Sequence, residues 1–307
     1  MEEPDIQTAA RDVFGLHSDL VVPAYSAASE LTPVRDPDYV FDPDATLAIL
    51  AGLAYNRRVL VQGLHGTGKS SHIEQVAAWL NWPCIRINLD GQISRFDLIG
   101  KDVITLIDGH QITEFREGIL PFAMQQPCIL ILDEYDAGRP DVMFVIQRVL
   151  EVDGKLTLLD QNRVIHPSPW FRLFATSNTV GQGDETGLYY GTQQLNQSQL
   201  DRWHMVLKMD YVPPAREFSI VRPKAAESIK DKDLELMIGT AGLMRRAFAD
   251  GRLSITMSPR TVIAWAQNAA IFGDIGYAFR LSFLNRAESA EAAEIAALFQ
   301  EGMGYGL

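Results

Sequence analysis

Cysteine is scarce in this sequence, and so is any long apolar run. Only two cysteines occur among 307 residues, without CxxC spacing, so neither a disulfide framework nor a thiolate zinc site is expected. There is no run of about eighteen apolar residues, and the N-terminal stretch MEEPDIQTAARDVFG is acidic and polar. We therefore predict neither a membrane span nor a secretion signal, and a cytoplasmic location.

Positive charge is also in short supply. The chain has 27 Lys and Arg residues against 39 Asp and Glu, a formal net charge of -12 at pH 7. Proteins that bind nucleic acids usually concentrate positive charge to neutralise phosphates, so a nucleic-acid partner is not expected. The six histidines show no HxH or HxxxH pairing, which argues against a transition-metal site built from them.

What the sequence does contain is a regular alternation of short apolar stretches with helical ones. The expected strands are RVLVQG, PCIRINL, CILILDE, FRLFATSN and WHMVLKM. Such alternation is typical of a parallel sheet with helices on both faces. Two other stretches, VITLIDGHQITEF and KLTLLDQNRVIH, predict β-hairpins, the first because Asp108 and Gly109 suit a type I′ turn.

Composition divides the chain into three expected segments. Residues 1–40 carry scattered prolines and acids and read as an arm that lies on another part of the protein. Residues 41–212 form the expected α/β domain, and residues 213–307 are helical throughout. We place the second boundary at Pro213 and Pro214, since proline is disfavoured within helices.

The stretch GLHGTGKS fits the phosphate-loop pattern G-x-x-x-x-G-K-[ST] and stands between an expected strand and an expected helix. Glycines let backbone N–H groups turn around the β-phosphate, and the helix N-terminus adds partial positive charge. Lys69 is predicted to reach the β- and γ-phosphates, and Ser70 to bind Mg²⁺. The expected ATP site comprises Gly63, Leu64, His65, Gly66, Thr67, Gly68, Lys69, Ser70 and Ser71.

Polar residues at the ends of two later strands complete the expected site. Asp133 and Glu134 follow the apolar run ILIL. A carboxylate there can hold Mg²⁺, and the next one can polarise the attacking water. We assign Asp133 to the metal and Glu134 to the water. Asn178 ends FRLFATSN, and it would touch the γ-phosphate and the water if its strand lies between the other two.

Two arginines have expected roles in catalysis. Arg202 occurs in QLDRW and Arg260 in SPRTV. An arginine placed across a subunit boundary stabilises transition-state charge in the neighbour's site, and one from a helical lid senses the γ-phosphate. We predict the first role for Arg202 and the second for Arg260. A surface ion pair is the alternative for each.

Taken in chain order, these five features resemble the AAA+ ATPases. The resemblance implies a phosphate-loop core with a five-stranded parallel sheet in the order 5-1-4-3-2 and a small C-terminal α-helical lid. The two hairpins resemble the helix-2 insert and the pre-sensor hairpin of the clade that contains MoxR proteins, chelatase motor subunits and replicative helicases. In such rings these loops usually line the pore or touch a partner.

Within that clade, several stretches resemble the CobS family of aerobic cobaltochelatase subunits, among them RRVLVQGLHGTGKSSHIEQVAAWLNWPCIRINLDGQISRFDLIGKD, LDEYDAGRPDVMFVIQRVLEVDGKLTLLDQNRVIHP and FATSNTVGQGDETGLYYGTQQLNQSQLDRW. The resemblance implies the ATP-hydrolysing motor of a complex that inserts Co²⁺ into hydrogenobyrinic acid a,c-diamide during cobalamin biosynthesis. It also implies a hexameric ring, a CobT-like partner with an integrin-type (VWA) metal-ion domain, and a large CobN-like subunit.

Other readings of the same residues remain. A MoxR-type remodeller that acts on a protein complex with a VWA-domain partner would share every residue named above. A nucleic-acid translocase would have basic hairpin tips, which this sequence lacks. The polar, glycine-rich stretch from Thr179 to Gln199 is long for a connection and is expected to be a functional loop.

Overall fold

A computed structural model describes residues 1–107, 110–151, 153–179 and 197–307. The predicted type I′ turn at 108–109 and most of the predicted functional loop, 180–196, lie outside the described residues. The chain divides into two units. The first is Met1–Asp36, Phe41–Gly63 and Gly68–Met209, and the second is Pro37–Val40, Leu64–Thr67 and Asp210–Leu307. Of the helices in the described ranges, none has the length and apolar character needed to span a bilayer.

The strands are β1 (Ile6–Ala9), β2 (Val21–Ala24), β3 (Val59–Gln62), β4 (Cys84–Asn88), β5 (Gly100–Ile107), β6 (His110–Glu117), β7 (Ile129–Asp133), β8 (Leu156–Leu158), β9 (Arg163–Ile165), β10 (Arg172–Ser177) and β11 (Met205–Lys208). The α-helices are α1 (Ala10–Phe14), α2 (Pro43–Tyr55), α3 (Lys69–Trp79), α4 (Arg95–Ile99), α5 (Ile119–Met124), α6 (Pro140–Val149), α7 (Gln197–Leu200), α8 (Pro214–Val221), α9 (Asp231–Ala249), α10 (Pro259–Phe272), α11 (Ile275–Ser282) and α12 (Ala292–Met303).

The five apolar strands predicted from the sequence form one parallel sheet. Its order is β11-β3-β10-β7-β4, and each neighbouring pair is parallel. Numbered along the chain, this is the predicted order 5-1-4-3-2, which is confirmed. Parallel strands of one sheet need crossover connections, and α3 supplies the first along the chain, between β3 and β4, which are not adjacent in the sheet.

The three central strands of this sheet, β3, β10 and β7, are buried along their whole length, which explains why they are largely apolar at successive positions. The edge strands β4 and β11 also carry exposed side chains. Successive side chains of a strand point to opposite faces. In β7, Ile129 and Ile131 pack in the core that contains α2 and α3 residues, whereas Leu130 and Leu132 pack in the core that contains α5 and α6 residues. The sheet is therefore the centre of the first unit, with a hydrophobic layer on each side.

Helix starts follow local signals in the sequence. The Asp42 side chain accepts a hydrogen bond from the Ala45 amide at 2.9 Å, and Pro43 is the first residue of α2. A short polar side chain at the N-cap and proline in the first turn both favour a helix start, because they satisfy or remove backbone donors that would otherwise lack partners. These contacts start α2 at Pro43.

Both predicted hairpins are present. Strands β5 and β6 pair antiparallel from Gly100 and Glu117 to Ile107 and His110, and β8 pairs antiparallel with β9. They stand apart from the parallel sheet, each as its own two-stranded sheet. The hairpins are therefore insertions into the α/β core.

The N-terminal segment packs on the first unit. Strands β1 and β2 pair antiparallel, and Ala10 and Val22 are buried in the same core as residues of α2 and β3. Trp82 donates a hydrogen bond through Nε1 to the Pro23 carbonyl at 2.7 Å. The division of the chain at residues 41 and 213 stays a prediction.

The second unit is helical around an aromatic centre. The rings of Trp265, Phe279 and Phe299 contact one another, and all three side chains are buried. A charged pair also lies inside this unit. Arg245 donates to both oxygens of the fully buried Glu217 at 2.6 Å, which joins α8 to α9.

Candidate nucleotide-binding and catalytic site

The phosphate loop runs from the end of β3 to the first turn of α3. Gly66 has a φ of 74° and Gly68 a φ of 91°, in the left-handed region that favours glycine. Gly68 is the N-cap of α3, and because it has no side chain it supplies no cap to the first amides of the helix. A helix start of this kind presents N–H groups and partial positive charge to a phosphate.

Lys69 is the first residue of α3 and has only 7 % of its surface exposed. Its Nζ donates to the Gly63 carbonyl at 2.7 Å and to Asn178 Oδ1 at 2.9 Å. The ammonium group therefore lies between the ends of β3 and β10, against the loop. From this position it can contact a phosphate held by the loop amides.

The remaining predicted loop residues line the same turn. His65 and Ser71 are exposed, whereas Leu64 and Thr67 are half-buried. Thr67 donates through Oγ1 to the Leu64 carbonyl at 2.8 Å, which closes the turn. Side chains that bond within the loop or point outward leave its inner surface to backbone N–H groups, as phosphate binding requires.

Asp133 and Ser70 meet at the carboxyl ends of the strands. Ser70 donates through Oγ to Asp133 Oδ1 at 2.5 Å, and Thr176 Oγ1 donates to the same oxygen. A hydroxyl and a carboxylate are hard oxygen ligands of the kind that Mg²⁺ binds, usually through one or two carboxylates plus phosphates and water. The two side chains therefore fit a magnesium ion that arrives with a nucleotide.

The two adjacent carboxylates have opposite pKa shifts. Burial disfavours ionisation of Asp133, but hydrogen bonds from Ser70, Thr176 and Arg86 outweigh it and lower the pKa. Burial raises the pKa of Glu134, and the charges of Asp133 and Asp136 raise it further. An ionised Asp133 suits metal binding, and a more basic Glu134 suits proton acceptance from water.

Asn178 is fixed by its backbone as well as by Lys69. Asp136, which is buried, accepts from the Asn178 amide at 3.1 Å and from the Thr179 amide at 2.8 Å. Because β10 lies between β3 and β7, this anchor holds Asn178 between the phosphate loop and the acidic strand end. The sequence did not identify Asp136, whose role depends on the neighbouring strand.

Arg86 is a further side chain that sequence reasoning missed. It lies on β4, next to β7, and its Nε donates to Asp133 Oδ2 at 2.9 Å. Its Nη2 contacts the same oxygen, and its Nη1 donates to Glu74 Oε2 at 3.3 Å. The only signal in the sequence is an arginine inside the apolar strand PCIRINL, near its carboxyl end.

Arg202 is held by an acid of its own chain. Its Nε donates to Glu151 Oε1 at 2.8 Å, and its Nη1 contacts the Ser198 carbonyl. Glu151 follows the end of α6. The ion pair that was the alternative for this residue is thus present, although the Arg202 side chain keeps 27 % of its surface exposed.

Arg260 lies in the first turn of α10 and is exposed. Within the part of the chain that the structure describes, it makes no ion pair. The same turn begins at Ser258, which lies against the phosphate loop, since a β-carbon added to Gly66 would come within 2.3 Å of Ser258 Cβ. Tyr211 also contacts the loop and donates to the His65 carbonyl at 3.2 Å. All these residues belong to the second unit.

Comparisons with known proteins agree with this geometry. The model of the AAA domain (dynein-related subfamily) matches residues 58–195, and the model of the cobaltochelatase CobS subunit N terminus matches residues 1–30. The aerobic cobaltochelatase subunit CobS of Sinorhizobium sp is 59% identical over 304 residues, which cover 98% of this chain and 92% of that protein. The chain belongs to the CobS family. It is an AAA ATPase subunit of the aerobic cobaltochelatase type.

Weaker matches to this CobS-family chain include midasin and a branch migration protein. Midasin of Giardia intestinalis is 26% identical over 180 residues, which cover 58% of this chain and 4% of midasin. The Thermotoga maritima RuvB Holliday junction branch migration motor matches in structure with a TM-score of 0.51 and 13% identity, over 90% of this chain and 76% of that one. That likeness shows the fold alone.

The described residues offer no second candidate for a metal. Across residues 1–107, 110–151, 153–179 and 197–307, no three His, Cys, Asp or Glu side chains cluster in a way that could hold an ion.

Proposed function

We propose that this chain hydrolyses ATP as the motor of a cobaltochelatase and so drives insertion of Co²⁺ into hydrogenobyrinic acid a,c-diamide. The observation that carries this proposal is the convergence of Lys69, Ser70, Asp133 and Asn178 on one edge of the sheet, in a chain 59% identical to a CobS subunit. Each residue brings a group that phosphoryl transfer needs.

The roles follow from the contacts. Gly63 to Ser71 bind the phosphates through backbone N–H groups, and Lys69 exchanges its contact with Asn178 for the β- and γ-phosphates. Glu134 accepts a proton from the attacking water, for which its raised pKa is suited. Asn178 orients that water from the adjacent strand end.

Magnesium would bind at Ser70 and Asp133, where it supplies charge neutralisation to the phosphates. The side chains around this position are already held by hydrogen bonds within the chain. Thr176 orients Asp133 by its hydrogen bond to Oδ1 and also accepts from the Glu134 amide at 3.2 Å. One threonine thereby holds the Asp133 carboxylate and the Glu134 backbone.

We further propose that the chain works as a ring, with six copies as the expected number. Arg202 would complete the site of a neighbouring copy and Arg260 would contact the γ-phosphate from the helical lid, residues 213–307. The Arg202 side chain keeps 27% of its surface exposed, and a group that contacts another chain must be accessible. An exposed arginine in the first turn of α10 likewise suits Arg260 to bind an anion.

The partners would be a CobT-like subunit with a VWA metal-ion domain and a large CobN-like subunit that holds cobalt and the macrocycle. A cytoplasmic location is part of the same proposal. The exposed apolar side chains of the β5–β6 hairpin, which include Ile104 and Leu106, offer a surface for such a contact.

Reconstitution tests the function. The chain is combined with candidate CobN and CobT proteins, ATP, Mg²⁺ and Co²⁺, and insertion is followed by the change in the corrin absorption spectrum. We expect insertion to require this chain and ATP, and to stop with Lys69→Ala. Insertion that continues at the same rate without the chain would contradict the chelatase assignment and leave the MoxR-type remodeller as the better explanation of its ATPase site.

A further inference from the structure

Arg86 lies against the carboxylate assigned to magnesium, and the proposed function leaves it without a role. Two of its nitrogens, Nε at 2.9 Å and Nη2, contact the single oxygen Oδ2 of Asp133. The Asp133 side chain has only 9% of its surface exposed. Arg86 itself is 42% exposed, but its two nitrogens reach a carboxylate that is largely buried, and such charge-assisted contacts constrain the orientation of the group that accepts them.

The two oxygens of Asp133 have different partners. Oδ1 accepts from Ser70 and Thr176, whereas Oδ2 accepts from Arg86. The lone pairs of the two oxygens lie on different edges of the planar carboxylate. An ion that takes the Ser70 hydroxyl as a ligand approaches the Oδ1 edge, so Arg86 can remain in place on the other edge.

Arg86 is itself held from a second direction. Its Nη1 donates to Glu74 at 3.3 Å, and Glu74 lies four residues after Ser70 on the same face of α3. The guanidinium therefore bridges α3 and β7, the two elements that carry Ser70 and Asp133. Glu74 also balances the positive charge, which limits the repulsion between Arg86 and a nearby cation.

We propose that Arg86 is a positioning residue for the magnesium site. It fixes Asp133 through Oδ2, so that Oδ1 faces the ion beside Ser70. This inference rests on the proposed role of Asp133 as the residue that receives the metal. Groups that hydrogen-bond a metal-binding carboxylate typically change metal affinity by about 10- to 100-fold when they are removed.

Equilibrium binding of ADP distinguishes an effect on magnesium binding from an effect on nucleotide binding. The dissociation constant of ADP is measured in EDTA and again in saturating magnesium chloride, and the ratio of the two values gives the coupling between ion and nucleotide. We expect Arg86→Gln to lower this ratio about tenfold and to leave the constant in EDTA close to that of the wild type. No turnover is involved in this measurement.

Two further variants test the route of the effect. Asp133→Asn should lower the ratio by itself, and adding Arg86→Gln to it should lower the ratio no further, because one residue acts through the other. Arg86→Lys keeps the charge but not the planar fork, so it should restore less than half of the lost coupling on a logarithmic scale.

The matched control is Arg163→Gln, which breaks a 2.6 Å ion pair of similar exposure with Glu117 and should leave the ratio unchanged. A ratio that stays constant or rises in Arg86→Gln would overturn the proposal, as would full restoration by Arg86→Lys. If Asp133→Asn also leaves the ratio unchanged, the assignment of the metal to Asp133 fails, which is a different result from failure of the Arg86 role alone.

Discussion

Asp133 and Glu134 are adjacent in sequence, yet their surroundings differ sharply. Asp133 ends a buried strand and receives three side-chain donors, from Ser70, Thr176 and Arg86. Glu134 has a left-handed backbone with a φ of 54°, which is uncommon for a residue other than glycine. Strand β7 ends at Asp133, so Glu134 does not continue it.

The raised pKa of Glu134 predicts the pH dependence of ATP hydrolysis. A base must be ionised to accept a proton, so activity should fall on acidification with a midpoint above 4.5, the ordinary value for glutamate. Glu134→Gln should lower the rate by about 10²- to 10⁴-fold and abolish this acid limb, while ADP still binds. The measurement is a steady-state rate profile, with ADP affinity determined at each pH.

Glu114→Gln is the control for that profile, because Glu114 is exposed on the β5–β6 hairpin. It should reproduce the wild-type curve. An acid limb that persists in Glu134→Gln would show that another group titrates, and the role of Glu134 as the base would be wrong.

At the residue scale, the sequence predicted the groups that belong to a contiguous motif. Lys69 and Ser70 were found because the phosphate loop specifies them by spacing, and Asp133 because it ends an apolar run. Arg86 and Thr176 could not be found this way. Their contacts with Asp133 exist because β4 and β10 both flank β7. A local sequence pattern does not specify which strands lie side by side in a sheet.

At the scale of the element, the phosphate loop is constrained from outside as well as by its own glycines. Gly66 and Gly251 have nearly equal backbone angles, with φ of 74° and 72°. They differ in surroundings, since a β-carbon on Gly66 would lie 2.3 Å from Ser258 Cβ, whereas one on Gly251 would meet nothing within 4 Å. Substitutions at these two glycines therefore distinguish the effect of backbone strain from the effect of a steric clash.

Alanine at each glycine provides the test. Both Gly66→Ala and Gly251→Ala should cost about 1–2 kcal/mol of backbone strain, seen as a lower melting temperature. Only Gly66→Ala should weaken ADP binding, by about tenfold or more, because the loop must shift to avoid Ser258. Equal ADP affinity in the two variants would mean that the loop accommodates the extra carbon and that the contact with Ser258 does not set its shape.

The helical unit contains a buried ion pair, and breaking it should lower the free energy of unfolding more than breaking an exposed pair does. Glu217→Gln would leave the guanidinium of Arg245, with 12% of its side chain exposed, without its charged partner. Breaking a buried pair from one side costs about 3–5 kcal/mol. Glu294→Gln breaks an exposed pair with Arg252 and should cost about 0–1 kcal/mol. Urea unfolding followed by circular dichroism compares the two, and similar midpoints would contradict the expectation.

Elements were predictable where periodicity or turn chemistry was strong. The five sheet strands were each placed to within two residues of their structural bounds. The signal was strongest for the central strands β3, β7 and β10, which are buried along their whole length and largely apolar. The hairpin β8–β9 was a weaker signal, since its three-residue strands offer little pattern. The turn at 108–109 and the loop at 180–196 lie beyond the residues described, so their predicted roles stay predictions.

At the scale of the whole molecule, the proposed mechanism divides one catalytic site between two copies. Lys69, Asp133 and Glu134 belong to the part of the site that lies within one copy, here called the cradle. Arg202 would come from the next copy. Such a head-to-tail contact is heterologous, and it closes into a ring only if the rotation between copies allows it. A chain acting alone would lack the arginine and hydrolyse ATP slowly.

Mixing two inactive variants tests this division. Arg202→Ala supplies an intact cradle, and Glu134→Ala supplies an intact arginine. In a random mixture, about a quarter of the contacts between neighbouring copies would combine an intact cradle with an intact Arg202. ATPase activity should therefore reappear above that of either variant alone. In the control, Glu134→Ala is mixed with Lys69→Ala. Both variants keep Arg202 and neither has a working site of its own, so no activity should reappear. Absence of any recovery across mixing ratios would show that Arg202 does not act on a neighbour.

The position of helix α6 in the chain bears on the order in which the copies of such a ring would hydrolyse ATP. It starts shortly after Glu134 and ends at Val149, just before the acid that holds Arg202, a span of about 15 Å. If Glu134 activates water and Arg202 reaches a neighbouring copy, as proposed, α6 would connect the two groups within one chain. A shift of α6 on hydrolysis would then move Glu151 and Arg202, so the order of hydrolysis around a ring would depend on each copy's own fold.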